Sequence, residues 1–254
     1  MTSNPSDVDP DLLRVAVAAK GPIGSLGGAW MTDPAEEAAT EALGLHDWQL
    51  YFLGRHGVLS DVDPDVVAAA AYAFPAARVR SEWEAARRVM TPAEAVQHYV
   101  ALCHSWGRTR MSGFEGSVRL IDLSQRIVDA VDLPGLPLFA GWRVLPQPAD
   151  DPARLVHVFQ LLREHRGACH GVALVALQMN PLIAILTNEG GAANAAEYGW
   201  QPPYPEVTDA DRERLQRVER LTDELVAVPY GVLSAAERVE FLELLEAAYS
   251  HAFA

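Results

Sequence analysis

The sequence predicts an all-α protein of two packed helical regions. Three observations carry that reading. Pairs of a capping residue and proline recur along the chain, apolar residues return at helical spacing, and sustained period-two alternation is nearly absent. The pairs are Asp9-Pro10, Asp33-Pro34, Asp63-Pro64, Thr91-Pro92, Asp151-Pro152 and Asn180-Pro181. In each, the first side chain offers an oxygen to the free amides of a helix start. The proline fits the first helical position, where its missing N–H is not needed. Thr91 with Glu94 and Ser234 with Glu237 complete capping boxes. These starts mark about ten to twelve helices.

Taken in order, "LLRVAVAA" (residues 12–19) fits a strand or a short alanine-rich helix after Asp9-Pro10, and the all-α pattern favours the helix. "KGPIGSLGGAW" (residues 20–30) is glycine-rich. It is neither G-x-G-x-x-G nor a Walker loop, because Lys20 precedes the glycines. It is expected to be a mobile or plain loop, with Trp30 and Met31 able to close over an apolar ligand. "HDWQLYFLGRHG" (residues 46–57) is aromatic-rich. Trp48, Tyr51 and Phe52, with Phe74, either divide between core and helix contacts or line a pocket into which Arg55 points.

Val96, Tyr99, Val100 and Cys103 follow the spacing of one buried helix face, and so do Leu155, Val158, Phe159 and Leu162. Leu215, Val218, Leu221 or Thr222, and Leu225 form a seam on a charged helix. That helix pairs either within the chain or across a homodimer. Residues 131–152 hold five prolines and two glycines and form a connector. Its Leu136, Leu138, Phe139, Trp142 and Val144 are expected to pack on a surface. An N-terminal helical region, residues 1–145, precedes a C-terminal one, residues 150–254. "GWQPPYPEV" (residues 199–207) reads as a second extended segment.

"LLREHRGACHG" (residues 161–171) sets two histidines, two arginines and a cysteine around Gly167. If one helix runs through it, His165 and Cys169 share a face, and Arg166 and His170 share an adjacent one. If Gly167 ends the helix, as glycine commonly does, His165 and Arg166 cap its last turn. The break is the expectation. The cluster is then either a capped junction or a pocket. In the pocket, His165 and His170 exchange protons and Arg166 holds a carboxylate or phenolate.

The chain has 254 residues, 50% of them hydrophobic, and a net charge of −14. Lys20 is the only lysine, and most arginines sit beside acids. Nucleic acid and anionic membranes are therefore poor partners. No run of 18 apolar residues is present, and the first residues lack a basic-then-apolar leader, so the protein is expected in the cytoplasm. Two cysteines, Cys103 and Cys169, make no disulfide framework. His165 and His170 lack the spacing of a helical zinc pair, so no metal site is assigned. No nucleophile elbow, Ser-His-Asp order or cofactor motif is visible, and no cofactor is expected.

"LLREHRGACHGVALVALQMNPLIAIL", the following "YGW", "LTDEL" and the N-terminal "YFLGRHGVLSDVDPDVVAAAAYAFPAARV" together resemble the SalK-like helix-turn-helix family of actinobacterial proteins. The family's Gly-Arg is matched by Gly54-Arg55, and its His-Arg-Gly and second histidine by His165, Arg166, Gly167 and His170. The resemblance implies a helix-turn-helix ancestry and brings no secure activity. The chain departs from it by passing quickly through residues 187–207, where a wing of normal length has no room. The helix after "MNP" carries no arginine or lysine, against what a DNA-reading helix needs.

The sequence therefore points first to a binding protein for a small, partly apolar, anionic molecule. Trp48, Tyr51, Phe52, Phe74 and Trp30 would form its wall, with Arg55, Arg166 and the histidines as anchors. A cofactor-independent acid–base enzyme using His165 and His170 is the second reading, and a transcriptional regulator the third.

Overall fold

A computed structural model describes residues 8–254, except the side chains of Glu36 and Asp47. Residues 1–7, on which part of the leader reading rests, lie outside the described residues. Among those described there is no strand, and thirteen α-helices follow one another. They are α1 (Pro10–Gly28), α2 (Pro34–Ala42), α3 (Asp47–His56), α4 (Pro64–Ala70), α5 (Ala76–Arg87), α6 (Pro92–Arg110) and α7 (Ser117–Asp129). Then come α8 (Pro137–Arg143), α9 (Asp151–Ala176), α10 (Pro181–Thr187), α11 (Gly191–Glu197), α12 (Asp209–Ala227) and α13 (Ala235–Ala252).

The helix starts are made as the capping pairs require. Asp9, Asp33, Asp63 and Asn180 each accept the backbone N–H two residues on, at 2.9–3.0 Å. Thr91 with Glu94 and Ser234 with Glu237 close reciprocal boxes. One start is displaced. Asp151 is already helical, and Asp150 caps α9 by accepting from Ala153 N–H at 3.2 Å.

Two compact units share the chain. One comprises Met1–Glu36, Val100–Gly167 and Asp223–Ala254, and the other Glu37–Tyr99 and Ala168–Thr222. They do not follow the expected division into residues 1–145 and 150–254. The connector, residues 131–152, lies inside the first unit. It folds α8 and buries Leu136, Leu138, Phe139 and Trp142, while Val144 stays 80% exposed, contrary to expectation.

The glycine-rich stretch is not a loop. α1 continues through it to Gly28, with Pro22 inside, because Val15, Ala16, Ala19, Ile23, Leu26 and Gly27 keep one buried face in register. Gly27 is required there. A Cβ on it would sit 2.7 Å from the Phe159 carbonyl oxygen of α9. Trp30 is buried in the same unit and donates from its indole N–H to the Gly27 carbonyl at 2.8 Å.

The expected break at Gly167 is also absent, and α9 runs unbroken from Asp151 to Ala176. Glycine inside a helix costs roughly 1 kcal/mol against alanine. Burial of α9 outweighs that cost. Every residue from Leu155 to Leu162 is buried, so this part of the helix is enclosed on all sides and not amphipathic. In the second unit, Ala173, Leu174, Met179, Ala184, Leu215 and Val218 form a core that holds the end of α9 against α10 and α12.

Gly167 tests this directly, since nothing lies within 4 Å of a Cβ built on it. Gly167→Ala is expected to raise unfolding stability in urea by about 0.5–1 kcal/mol, by relieving glycine's entropy cost in a helix. A loss of stability would mean that the chain breaks there.

Candidate functional site

α9 places four polar side chains inside the first unit. His157 and Gln160 are 0% exposed, Glu164 1% and His165 4%. Being buried, each must find partners in the interior. Gln160 donates from Nε2 to Glu164 Oε1 at 2.7 Å, and Arg163 lies 3.5 Å from the same oxygen. With Nε2 committed to a carboxylate, the amide orientation is fixed. Gln160 Oε1 remains buried without a protein partner, and so does His157 Nε2. Residues 157 and 160 are three apart and so share one face of α9.

The apolar frame of this face comes from α8. The Trp142 ring lies 6.3 Å from His157, and the Phe139 ring 5.5 Å from His165. His157 is also joined to α6, its Nδ1 lying 3.1 Å from His104 Nε2. Burial pulls the pKa of His157 from 6.5 down to about 4, with His104 adding to the effect. Burial and then the neighbouring Arg166 charge do the same to His165. Both imidazoles are therefore neutral near pH 7 and can act as hydrogen-bonding groups or proton acceptors.

The residues singled out by the sequence are placed as follows. Arg166 donates to Asp223 at 2.7 Å, with Lys20 3.9 Å from the same carboxyl group, so a protein carboxylate occupies its guanidinium. In the second unit His170 lies 3.2 Å from the Thr222 hydroxyl and 3.6 Å from Glu219. Thr222 gives its own proton to the Val218 carbonyl, so it accepts from His170, and the ring proton sits on Nδ1. His165 and His170 are five residues apart on one unbroken helix and therefore point about 140° from each other. α9 does not bring them together.

The aromatic run of the second unit is a ring cluster. Phe52 and Phe74 are buried, with centroids 4.9 Å apart, edge to face. Trp48 and Tyr51 are half-buried and meet Phe74 at 5.3 and 5.7 Å. Arg55 donates to the Tyr51 hydroxyl at 2.7 Å and lies over its ring, and Arg78 lies over Trp48 at 4.5 Å. Gly54 and Gly57 let α3 approach α6. A Cβ at Gly54 would meet Tyr99 Cβ at 2.5 Å, and one at Gly57 the Pro92 carbonyl oxygen at 2.7 Å. The Gly-Arg-His-Gly stretch thus owes its glycines to packing. Its His56 is buried, and burial and then Arg55 hold its pKa well below 6.5.

α9 is followed by residues 177–180 and α10, with the two helices bent by 110°. A crossing of about 90–120° over a three- or four-residue turn is the geometry of a helix-turn-helix. A sequence model of a helix-turn-helix family matches residues 16–254. The chain belongs to this family. No curated protein and no solved structure matches it. α10, the helix that follows this bend, reads "PLIAILT", without a cation. Among the described residues, no group of three His, Cys, Asp or Glu could hold a metal ion, and no single helix is long and apolar enough to cross a membrane.

His157, Gln160 and Glu164 are not among the candidate residues read from the sequence. The available signal was a histidine and a glutamine as the only polar residues in "LVHVFQLL" (residues 155–162).

The buried histidines couple stability to pH. Between pH 6.5 and 5 the unfolded chain takes up protons that folded His157 and His165, with pKa values of about 4, refuse. Stability is therefore full above pH 6.5 and declines as pH falls toward 4. Over the 6.5-to-5 window the loss is about 2 kcal/mol per histidine. Urea unfolding at pH 7.5, 6 and 5 measures it, and a stability independent of pH across that window contradicts the assignment.

Proposed function

We propose that this helix-turn-helix family member binds a small, partly apolar molecule against the enclosed face of α9. Its relation to the SalK-like branch belongs to the same proposal. The observation that carries the reading is the pair of buried polar atoms without protein partners, His157 Nε2 and Gln160 Oε1, on one helix face. A buried polar atom left without a hydrogen bond costs about 1–3 kcal/mol. Their three-residue spacing puts both on one face of α9, so a single molecule can meet both. Gln160 Oε1 accepts from the ligand, His157 Nε2 faces its complementary atom, and Trp142 and Phe139 supply the apolar frame.

The anchors in this reading differ from those expected from the sequence. Arg166 is engaged by Asp223, so the anionic character expected of the ligand has no arginine anchor here. A donor placed beside an acceptor, as in a planar amide, fits Gln160 and His157 better. Acid–base catalysis on the bound molecule is the second reading, favoured by the neutral, buried state of His157 and His165. Regulation of transcription draws on the family membership alone. α10 offers no cation to phosphates or base edges.

Thermal shift with benzamide, nicotinamide, benzoate and salicylate at millimolar concentration tests the proposal. At least one of the two amides is expected to raise Tm, and Gln160→Met, which keeps the side-chain volume, is expected to remove that shift. No shift from either amide, or one unchanged in Gln160→Met, contradicts the site.

A further inference from the structure

The His104–His157 contact sets a partly exposed imidazole on α6 against a buried one on α9. The two helices close on each other at Gly107, where a Cβ would meet the Pro152 carbonyl oxygen at 2.7 Å and Ala153 Cα at 3.0 Å. One turn away, His104 Nε2 lies 3.1 Å from His157 Nδ1. Arg108 and Asp150, paired at 2.8 Å, flank His104, and Trp142 flanks His157. Two neutral rings in this arrangement share one ring proton between them. That leaves only two consistent states of the pair.

We propose that His104 and His157 form a proton relay between solvent and the buried His157 Nε2, where it serves an oxygen or nitrogen base of the bound molecule. In one state His104 Nε2–H donates to His157 Nδ1, and His157 carries its proton on Nε2. Delivery breaks the His157 Nε2–H bond and forms a bond from that proton to the ligand. The His104 Nε2 proton moves to His157 Nδ1, and His104 Nδ1 takes a proton from solvent. One proton has passed inward, and both rings end neutral in the second state. There His157 Nδ1–H donates to His104 Nε2, and His157 Nε2 is bare. Proton removal from the ligand runs the same steps backwards. The first state is thus an acid and the second a base. A removal followed by a delivery returns the pair unchanged and amounts to moving one proton between two atoms of the ligand, as in tautomerisation of a carbonyl compound to its enol or of an amide to its imidic acid.

The ligand's role rests on the binding reading above, but the relay itself is measurable without a ligand. In protein with ¹⁵N-labelled imidazoles, transfer of water saturation reports exchange of the His157 ring proton. Dividing this rate by amide exchange in the same turn of α9 removes the effect of local opening. His104→Gln keeps a donor to His157 Nδ1 but cannot pass a proton on. The ratio is expected to fall about tenfold or more in His104→Gln, leaving exchange to local opening alone. A ratio equal to that of the wild type overturns the relay while leaving ligand binding standing. Conversely, failure of every amide to bind leaves the ratio free to fall.

Discussion

From Leu155 to Leu162 α9 crosses the interior of the first unit with no side open to water, yet its sequence carries a histidine and a glutamine there, and a buried glutamate and a second buried histidine one turn on. Everything distinctive about the molecule follows from this constraint. An apolar helix would satisfy the packing at less cost. The polar side chains instead require partners from α6 and from α9 itself, and His157 Nε2 and Gln160 Oε1 are left without a hydrogen-bond partner in the protein. The glycines elsewhere serve the same close packing. Gly27 lets α1 lie on the backbone of α9, and Gly107 does so for α6.

Local chemistry made much of the fold legible. Aspartate, asparagine, threonine and serine caps act within three residues, so their positions survive into the structure whatever the tertiary context. The same locality explains the single displacement, because Asp150 and Asp151 are adjacent and both can cap. Tertiary burial overrode local propensity at Gly167 and at residues 20–28. There the helix continues because the apolar face on both sides of the glycines is buried. No local signal carries that information.

The candidate site was less legible for a related reason. His165, Arg166 and His170 stand out in sequence because they cluster, but a continuous helix spreads a cluster of five around its circumference. His157 and Gln160 do not stand out. They are ordinary polar residues until the surrounding helices show that the face they occupy is closed. The aromatic run is legible as a group, and its rings do assemble with Phe74. Its arginines lie on the rings, at Tyr51 and Trp48.

The sharp corner before α10 and the enclosed face are built on one helix, whose C-terminal end makes the turn. The corner carries the 110° bend, and α10 beyond it carries no cation. The continuity of α9 is the central claim, and amide hydrogen exchange tests it most directly. The account predicts that the amides of His165 to His170 exchange as slowly as those of Val158 to Leu162. Fast exchange confined to Gly167 and Ala168 would contradict it.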